Sequence, residues 1–301
     1  MQRKHWMFAT IFSFILISTK FMISCGAKSD SEGTTEEDST DATDTDTTSC
    51  SLTANTTATS TTNTYGCSLL TRDTSSCEAS RTAQGLSGYW LKFSCRVTLT
   101  KSGSNVTVTT DSQPDYKTAY FGSTHACYEK LTATGRGTNP STLSAQSIAM
   151  TVPVAATKAA STTTVSGQII GLTLNGIAVF GNYAAPGDDI YREAVSFDHC
   201  EAHPQNQGIY HHHTEPTSIT QSDSNFVGVM LDGLPIYGRT DADGSTPTLD
   251  AAGGHTGTTA DSPTTAVYHY HVNRQTNGTS VAYFITAGKF AGTLGTCTGC
   301  N

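Results

Sequence analysis

The chain has 301 residues, of which 14% are charged and 36% hydrophobic, and its formal net charge is −8. A net acidic chain with no clustered basic stretch lacks the electrostatic footprint of nucleic-acid binding, so that class of partner is set aside.

The N-terminus comes first. Arg3, Lys4 and His5 make a basic start, followed by thirteen mostly apolar residues, Trp6 to Ser18. That run is too short to span a bilayer comfortably and fits the core of a secretory signal. Cys25 follows Met22, Ile23 and Ser24. This stretch resembles the lipobox of bacterial lipoproteins, although Met22 stands where leucine is commoner and Lys20 interrupts the run. The resemblance implies a signal peptide over 1–24, acylation of Cys25, and a membrane partner held through that N-terminal lipid. Localisation to the bacterial cell envelope follows as an expectation.

A tether is expected over 25–64. Ser29 to Thr48 holds eight acidic residues, ten Ser or Thr, and no apolar residue larger than alanine. Such a segment cannot bury enough surface to offset its chain entropy, and its charges extend it. It also accounts for most of the acidity: residues 49–301 carry thirteen basic against seventeen acidic side chains. With Cys25 lipidated, eight of the nine cysteines remain. An even number in an exported chain reads as disulfides, with no pairing fixed by sequence. Cys297 and Cys300 form a C-x-x-C, which suits a redox pair, half a zinc site or a structural disulfide; no helical pattern stands behind it, and the disulfide is the preferred reading.

A Cys-containing lead-in over 65–87 is expected to be stapled and irregular, with a short helix in "SCEASRTAQGLSG". From residue 88 to 301 the patterns are strand-like, so the fold class is mainly β, a single disulfide-braced β-rich domain. "GYWLKFSCRVTLTKSGSNVTVTTD" reads as a hairpin broken at "KSGSN". "TLSAQSIAMTVPV" and "TTTVSGQIIGLTLNGIAVFG" are strands rich in Thr, Val and Ile.

An internal duplication stands out, with repeats at about 168–215 and 225–273. "IGLTLNGIAVFG" (Ile170 to Gly181) aligns with "VGVMLDGLPIYG" (Val227 to Gly238). Each block is followed by Asp-x-x-x-x-His, Asp198 to His203 and Asp250 to His255, and then by Tyr-His-x-His, Tyr210 to His213 and Tyr268 to His271. Duplicated halves commonly pack about a pseudo-twofold axis, which would bring corresponding residues near each other.

"LNGIAVFG", "DHCEAHPQNQGIYHHH", "LDGLPIYG", "LDAAGGH" and "YHYH" are similar to the motifs of the YHYH domain family. The resemblance covers 165–272, and more weakly reaches back to about residue 88 and on to the C-terminus. Two departures stand out: His212 replaces a tyrosine, and Glu201 and Ala202 occupy positions where a glycine usually precedes the histidine. The family occurs in bacterial envelope proteins, and the resemblance names a domain without naming a reaction.

In a strand, residues i and i+2 share a face, so His211 projects with His213 and His269 with His271. If the halves meet, these four imidazoles form one metal site suited to copper or zinc. His203 and His255 are alternative ligands, or neighbours that support the ligands from behind. Asp198 and Asp250 would orient imidazoles through the ring nitrogen that faces away from the metal. His125 is a further, isolated candidate, and His199 has no counterpart in the second repeat. "RTDADGSTPTLD", with Asp241 and Asp243, reads as a turn rather than a calcium loop. No phosphate loop, dinucleotide fingerprint or nucleophile elbow is present. Two rivals stand beside metal binding: a structural or adhesive module whose histidines and tyrosines form a hydrogen-bond network, and a histidine- or metal-dependent hydrolase or oxidase.

Overall fold

The computed structural model describes residues 50, 56–186, 188–220 and 223–300. The expected signal peptide, the lipidation site Cys25 and the acidic segment lie outside them. Among the described residues the strands are β1 (Thr56–Thr62), β2 (Ser68–Arg72), β3 (Thr98–Ser102), β4 (Asn105–Thr110), β5 (Ile148–Pro153), β6 (Lys158–Thr164), β7 (Gly171–Thr173), β8 (Ala178–Val179), β9 (His203–Pro204), β10 (Tyr210–His212), β11 (Phe226–Met230), β12 (Pro235–Tyr237), β13 (Gly254–Thr259), β14 (Ser262–His271), β15 (Asn273–Asn277), β16 (Ser280–Phe284), β17 (Lys289–Gly292) and β18 (Thr296–Thr298). Two short α-helices interrupt them, α1 (Glu78–Ala83) and α2 (Ile190–Glu193), so the fold is mainly β as expected.

The tether expected through residue 64 stops earlier. Its Thr-rich end forms β1, which pairs antiparallel with β2. β-branched residues favour a pleated strand once a partner is at hand. The lead-in holds the expected short helix as α1, and it is more regular than expected in also holding β2. Disulfides Cys50–Cys127, Cys67–Cys200 and Cys77–Cys95 staple this part of the chain, and Cys297–Cys300 closes the C-x-x-C. The hairpin at "KSGSN" forms as β3–β4, but Gly88–Lys92 before it is a 3-10 turn that buries Trp90.

An eight-stranded sheet carries both repeats in the order β13-β14-β12-β11-β7-β8-β10-β9. Its left half is the second repeat and its right half is the first. At the centre β7 and β11 pair antiparallel as Gly171↔Met230, Leu172↔Val229 and Thr173↔Gly228, a register that maps onto itself when the repeats are exchanged. The pseudo-twofold axis therefore passes through the Leu172–Val229 pair. Gly171 and Gly228 make this contact feasible: a Cβ on Gly171 would sit 2.7 Å from the Val229 carbonyl oxygen, and one on Gly228 would sit 2.2 Å from that of Leu172. The tight turns β7–β8 and β11–β12 each hold a glycine with positive φ, Gly176 at 86° and Gly233 at 78°. Only glycine adopts that conformation freely.

The same symmetry runs outward. β8 and β10 pair in parallel with Val179 opposite His212, and β12 and β14 do so with Ile236 opposite Tyr270. On the outer edges His203 lies opposite His211, and His255 opposite His269. The inner strands are buried on both faces, which is why their sequences are nearly continuous apolar runs. One face carries Leu172, Phe226 and Val229, packed against Trp90, Phe93 and the inward residues of β3–β5. Ile170, Val227, Met230, Ile236 and Tyr270 pack with Phe290 of β17 in a second core.

Candidate metal centres

The sheet order decides the fate of the four-imidazole site. β10 and β14 are five strand spacings apart, roughly 24 Å at the usual separation of paired strands. The repeats do touch, but through β7 and β11, and the histidine strands point away toward opposite ends. His211 and His213 therefore do not share a site with His269 and His271. Each pair instead gathers the histidine of its own edge strand. His203, His211 and His213 form a first centre, and His255, His269 and His271 form a second one with Asp241, all ligand atoms of a centre lying within 4.8 Å of one another. His203 and His255, expected as alternatives, are full members.

The imidazoles are oriented by backbone carbonyls. His211 Nδ1 donates to the Ile209 oxygen at 2.9 Å, and His269 Nδ1 to the Val267 oxygen at 3.0 Å. His213 Nδ1 donates to the Gly181 oxygen at 2.6 Å, and His271 Nδ1 to the Gly238 oxygen at 2.7 Å. Gly181 and Gly238 close the duplicated blocks seen in the sequence. A carbonyl only accepts, so in all four rings the proton of the neutral form sits on Nδ1 and the Nε2 lone pair is free. The Nε2 atoms of His211 and His213 face each other at 3.0 Å, and those of His269 and His271 face His255 Nε2 at 3.1 and 3.3 Å. His203 Nδ1 lies 2.7 Å from Ser196 Oγ, while its Nε2 is buried without a hydrogen-bond partner.

Asp198 and Asp250 do not orient the imidazoles. Strand alternation places the tyrosines and His212 on the opposite face, and the aspartates serve that face. Tyr210 donates to Asp198, which also accepts from the Thr118 hydroxyl and from the Cys200 amide at 2.8 Å. Tyr268 donates to Asp250 at 3.0 Å, and Lys158 pairs with the same carboxylate at 2.7 Å. The duplicated Asp thus belongs to the duplicated Tyr. His212 takes a structural place, its Nδ1 on the Glu201 carbonyl at 2.9 Å and its Nε2 3.2 Å from the Tyr116 hydroxyl. His125 stacks on Phe121 outside both centres, and His199 bonds to Thr132.

Burial holds five of the clustered rings neutral. It pushes His203 down to about 3, helped by the nearby His213 and His212, and His213 down to about 4 against the Gly181 carbonyl. His211 is driven well below the ordinary histidine value by burial and then by His203 and His213. In the second centre burial lowers His269 and takes His271 to about 4. Near neutral pH no proton competes for the lone pairs of His203, His211, His213, His269 and His271.

Two acidic groups distinguish the centres. Asp241 Oδ1 lies 3.0 Å from His255 Nε2 and 3.4 Å from each of His269 Nε2 and His271 Nε2, completing a four-atom cage. Tetrahedral zinc with bonds of about 2.0–2.1 Å has ligand atoms about 3.3–3.4 Å apart, close to these separations. In the first centre the repeat-equivalent position of Asp241 is Ala184, counted from the paired Gly181 and Gly238. Ala184 lines a cavity of about 290 Å³ that His211 and His213 face. Glu193 Oε2 stands at its edge, 3.9 Å from His213 Nε2, buried and without a hydrogen-bond partner. Burial, and then Asp188, raise its carboxyl above the ordinary value. Phe180 stacks on His211 at 3.7 Å between ring centres and forms one wall.

Sequence reading missed Asp241 as a ligand and Glu193 altogether. Neither recurs in the other repeat, so the duplication that exposed the histidines was silent on both. Asp241 sits three residues after Gly238, which closes the second duplicated block, and that adjacency was the signal the sequence offered.

No curated protein and no solved structure matches the chain significantly. A family model described as YHYH protein matches residues 149–248, a stretch that holds the whole first centre and Asp241 but ends before His255, His269 and His271. The chain therefore carries a YHYH domain, the family whose motifs its two histidine blocks resemble.

Proposed function

We propose that this chain is an exported, lipid-anchored cell-envelope protein whose YHYH domain binds two transition-metal ions, zinc or copper, one in each three-histidine centre. The observation that carries the metal reading is the set of facing Nε2 atoms. Two free lone pairs 3.0 Å apart repel each other unless a cation lies between them, and backbone carbonyls hold the rings in that arrangement. Imidazole donors with at most one carboxylate suit zinc or copper(II). The rival histidine–tyrosine network would need those nitrogens on tyrosine hydroxyls. Instead Tyr210, Tyr268 and Tyr270 donate to Asp198, Asp250 and Asp232, and among the described residues the one histidine–tyrosine bond is Tyr116 with His212. Export and anchoring rest on the lipobox-like stretch ending at Cys25, and four disulfides agree with an oxidising compartment.

The test is elemental mass spectrometry on the full chain, solubilised from membranes in detergent and purified without a histidine tag. Two zinc or copper ions per chain are expected. The pair His211→Ala/His213→Ala should leave one, and His269→Ala/His271→Ala should also leave one. A correctly folded chain that holds no metal and ignores added zinc and copper would sink the reading.

A further inference from the structure

We propose that the first centre is a hydrolytic site for a small, uncharged ester or amide, with Glu193 as its proton acceptor; this rests on the metal reading above. Three imidazoles with an open side are the donor set of a metal that keeps a position for water or substrate. The open side is defined by comparison within the same molecule, because Ala184 stands where Asp241 closes the second centre. Glu193 is placed to work beside such a position rather than to fill it. Its Oε2 lies 3.9 Å from His213 Nε2 and falls outside the group of mutually close ligand atoms. Among the described residues that oxygen has no hydrogen-bond partner, which leaves it free to accept a proton.

The cavity limits what enters. At about 290 Å³ it admits a small acyl compound. Phe180, Tyr183 and Pro186 give it apolar walls, while Gln168, Gln205 and Asn206 offer neutral amides. No lysine or arginine lines it, so a carboxylate or phosphate on the substrate would find no counter-charge and would meet Glu193. The reaction is a plain hydrolysis. Glu193 takes a proton from a water molecule in the open position as the water oxygen bonds to the carbonyl carbon. The carbon–oxygen or carbon–nitrogen bond to the leaving group then breaks, and Glu193 returns the proton to the departing alkoxide or amine. Acid and alcohol or amine are the products, and no oxidant or reductant is consumed.

The probe is 4-nitrophenyl acetate with the zinc-replete full chain in detergent, scored against the chelated chain and against free zinc. Zinc-dependent hydrolysis is expected, and the hemisuccinate ester, which carries a negative charge, should react more slowly. Glu193→Gln should lower the rate about 100-fold or more, the usual worth of a positioned proton acceptor. Metal content measured on the same sample should stay at two per chain. Ala184→Asp should abolish the rate, also with two metals retained. A chain with two metals and no rate above free zinc would overturn the proposal, as would a Glu193→Gln variant as fast as the parent. A first centre that binds no metal would instead overturn the reading on which it rests, so the two failures are told apart by the metal count.

Discussion

The two ends of the sheet carry nearly the same imidazole frame and differ in what completes it. In both, a His-x-His strand meets one histidine from an edge strand, and glycine and i−2 carbonyls hold the outer ring nitrogens. At the second centre Asp241 fills the fourth corner; at the first, Ala184 leaves it facing a cavity with Glu193 at the rim. The two repeats share the parts set by strand register and differ at a loop residue. Ring orientation depends on sheet hydrogen bonds that a substitution would break, whereas residues 184 and 241 lie on loops that tolerate change.

The largest expected effect comes from two rings of the first repeat that burial holds neutral. His212 and His213 are fully buried, and each is pushed from 6.5 to about 4 by that burial. Once the metal is chelated, the unfolded chain binds protons at these rings below pH 6.5 while the folded chain does not. Stability therefore falls as pH drops from 6.5 toward 4, by about 3 kcal/mol for each such ring at pH 4. Two rings alone approach the whole stability of an ordinary domain. Thermal denaturation of the chelated chain should show Tm declining steadily from pH 7 to 4.5. A flat profile would mean that these rings are not held neutral by burial.

Exchanging the fourth position sharpens the comparison directly. Asp241→Ala should weaken zinc binding at the second centre by about tenfold to a hundredfold, since one charged ligand is lost and three imidazoles remain. Ala184→Asp should strengthen the first centre by a similar factor. Competition against a chelating dye, in chains whose other centre has been removed, reads each affinity separately. Equal affinities before and after both changes would show that the loop residue does not distinguish the centres.

The mainly β class, the duplication and all six histidines of the two clusters were legible in the sequence, because each leaves a local mark: β-branched runs, repeated glycines, and imidazoles at strand spacing. Sequence reading misplaced the site because proximity between strands is not a local property. A pseudo-twofold axis was expected to unite the His-x-His pairs, but the axis passes through Leu172 and Val229, and each motif lies beyond two further strands. Asp198 and Asp250 were misassigned for a related reason. Their repetition was legible, but which face of β10 and β14 they serve depends on the turn that carries them.

Those aspartates give the smallest effect and the finest comparison. Asp198 is 1% exposed, and its carboxylate accepts from Tyr210, Thr118 and two backbone amides. Burial raises its carboxyl above the ordinary value, and hydrogen bonds from Thr118 and Tyr210 oppose that rise. Asp250 has a side chain 35% exposed and is paired with Lys158. Tyr210→Phe therefore takes a donor from a carboxylate that water cannot reach, at a cost of about 1–3 kcal/mol, whereas Tyr268→Phe removes one that solvent can replace, at about 1 kcal/mol or less. Both tyrosines point away from the imidazoles, so neither change should alter the metal count. Denaturant unfolding of the two variants, with metal measured on the same samples, checks both statements. Equal losses would show that burial does not set the worth of the pair. A metal lost from Tyr210→Phe alone would mean that the two faces of β10 are mechanically coupled, and that the first centre is the more fragile of the two.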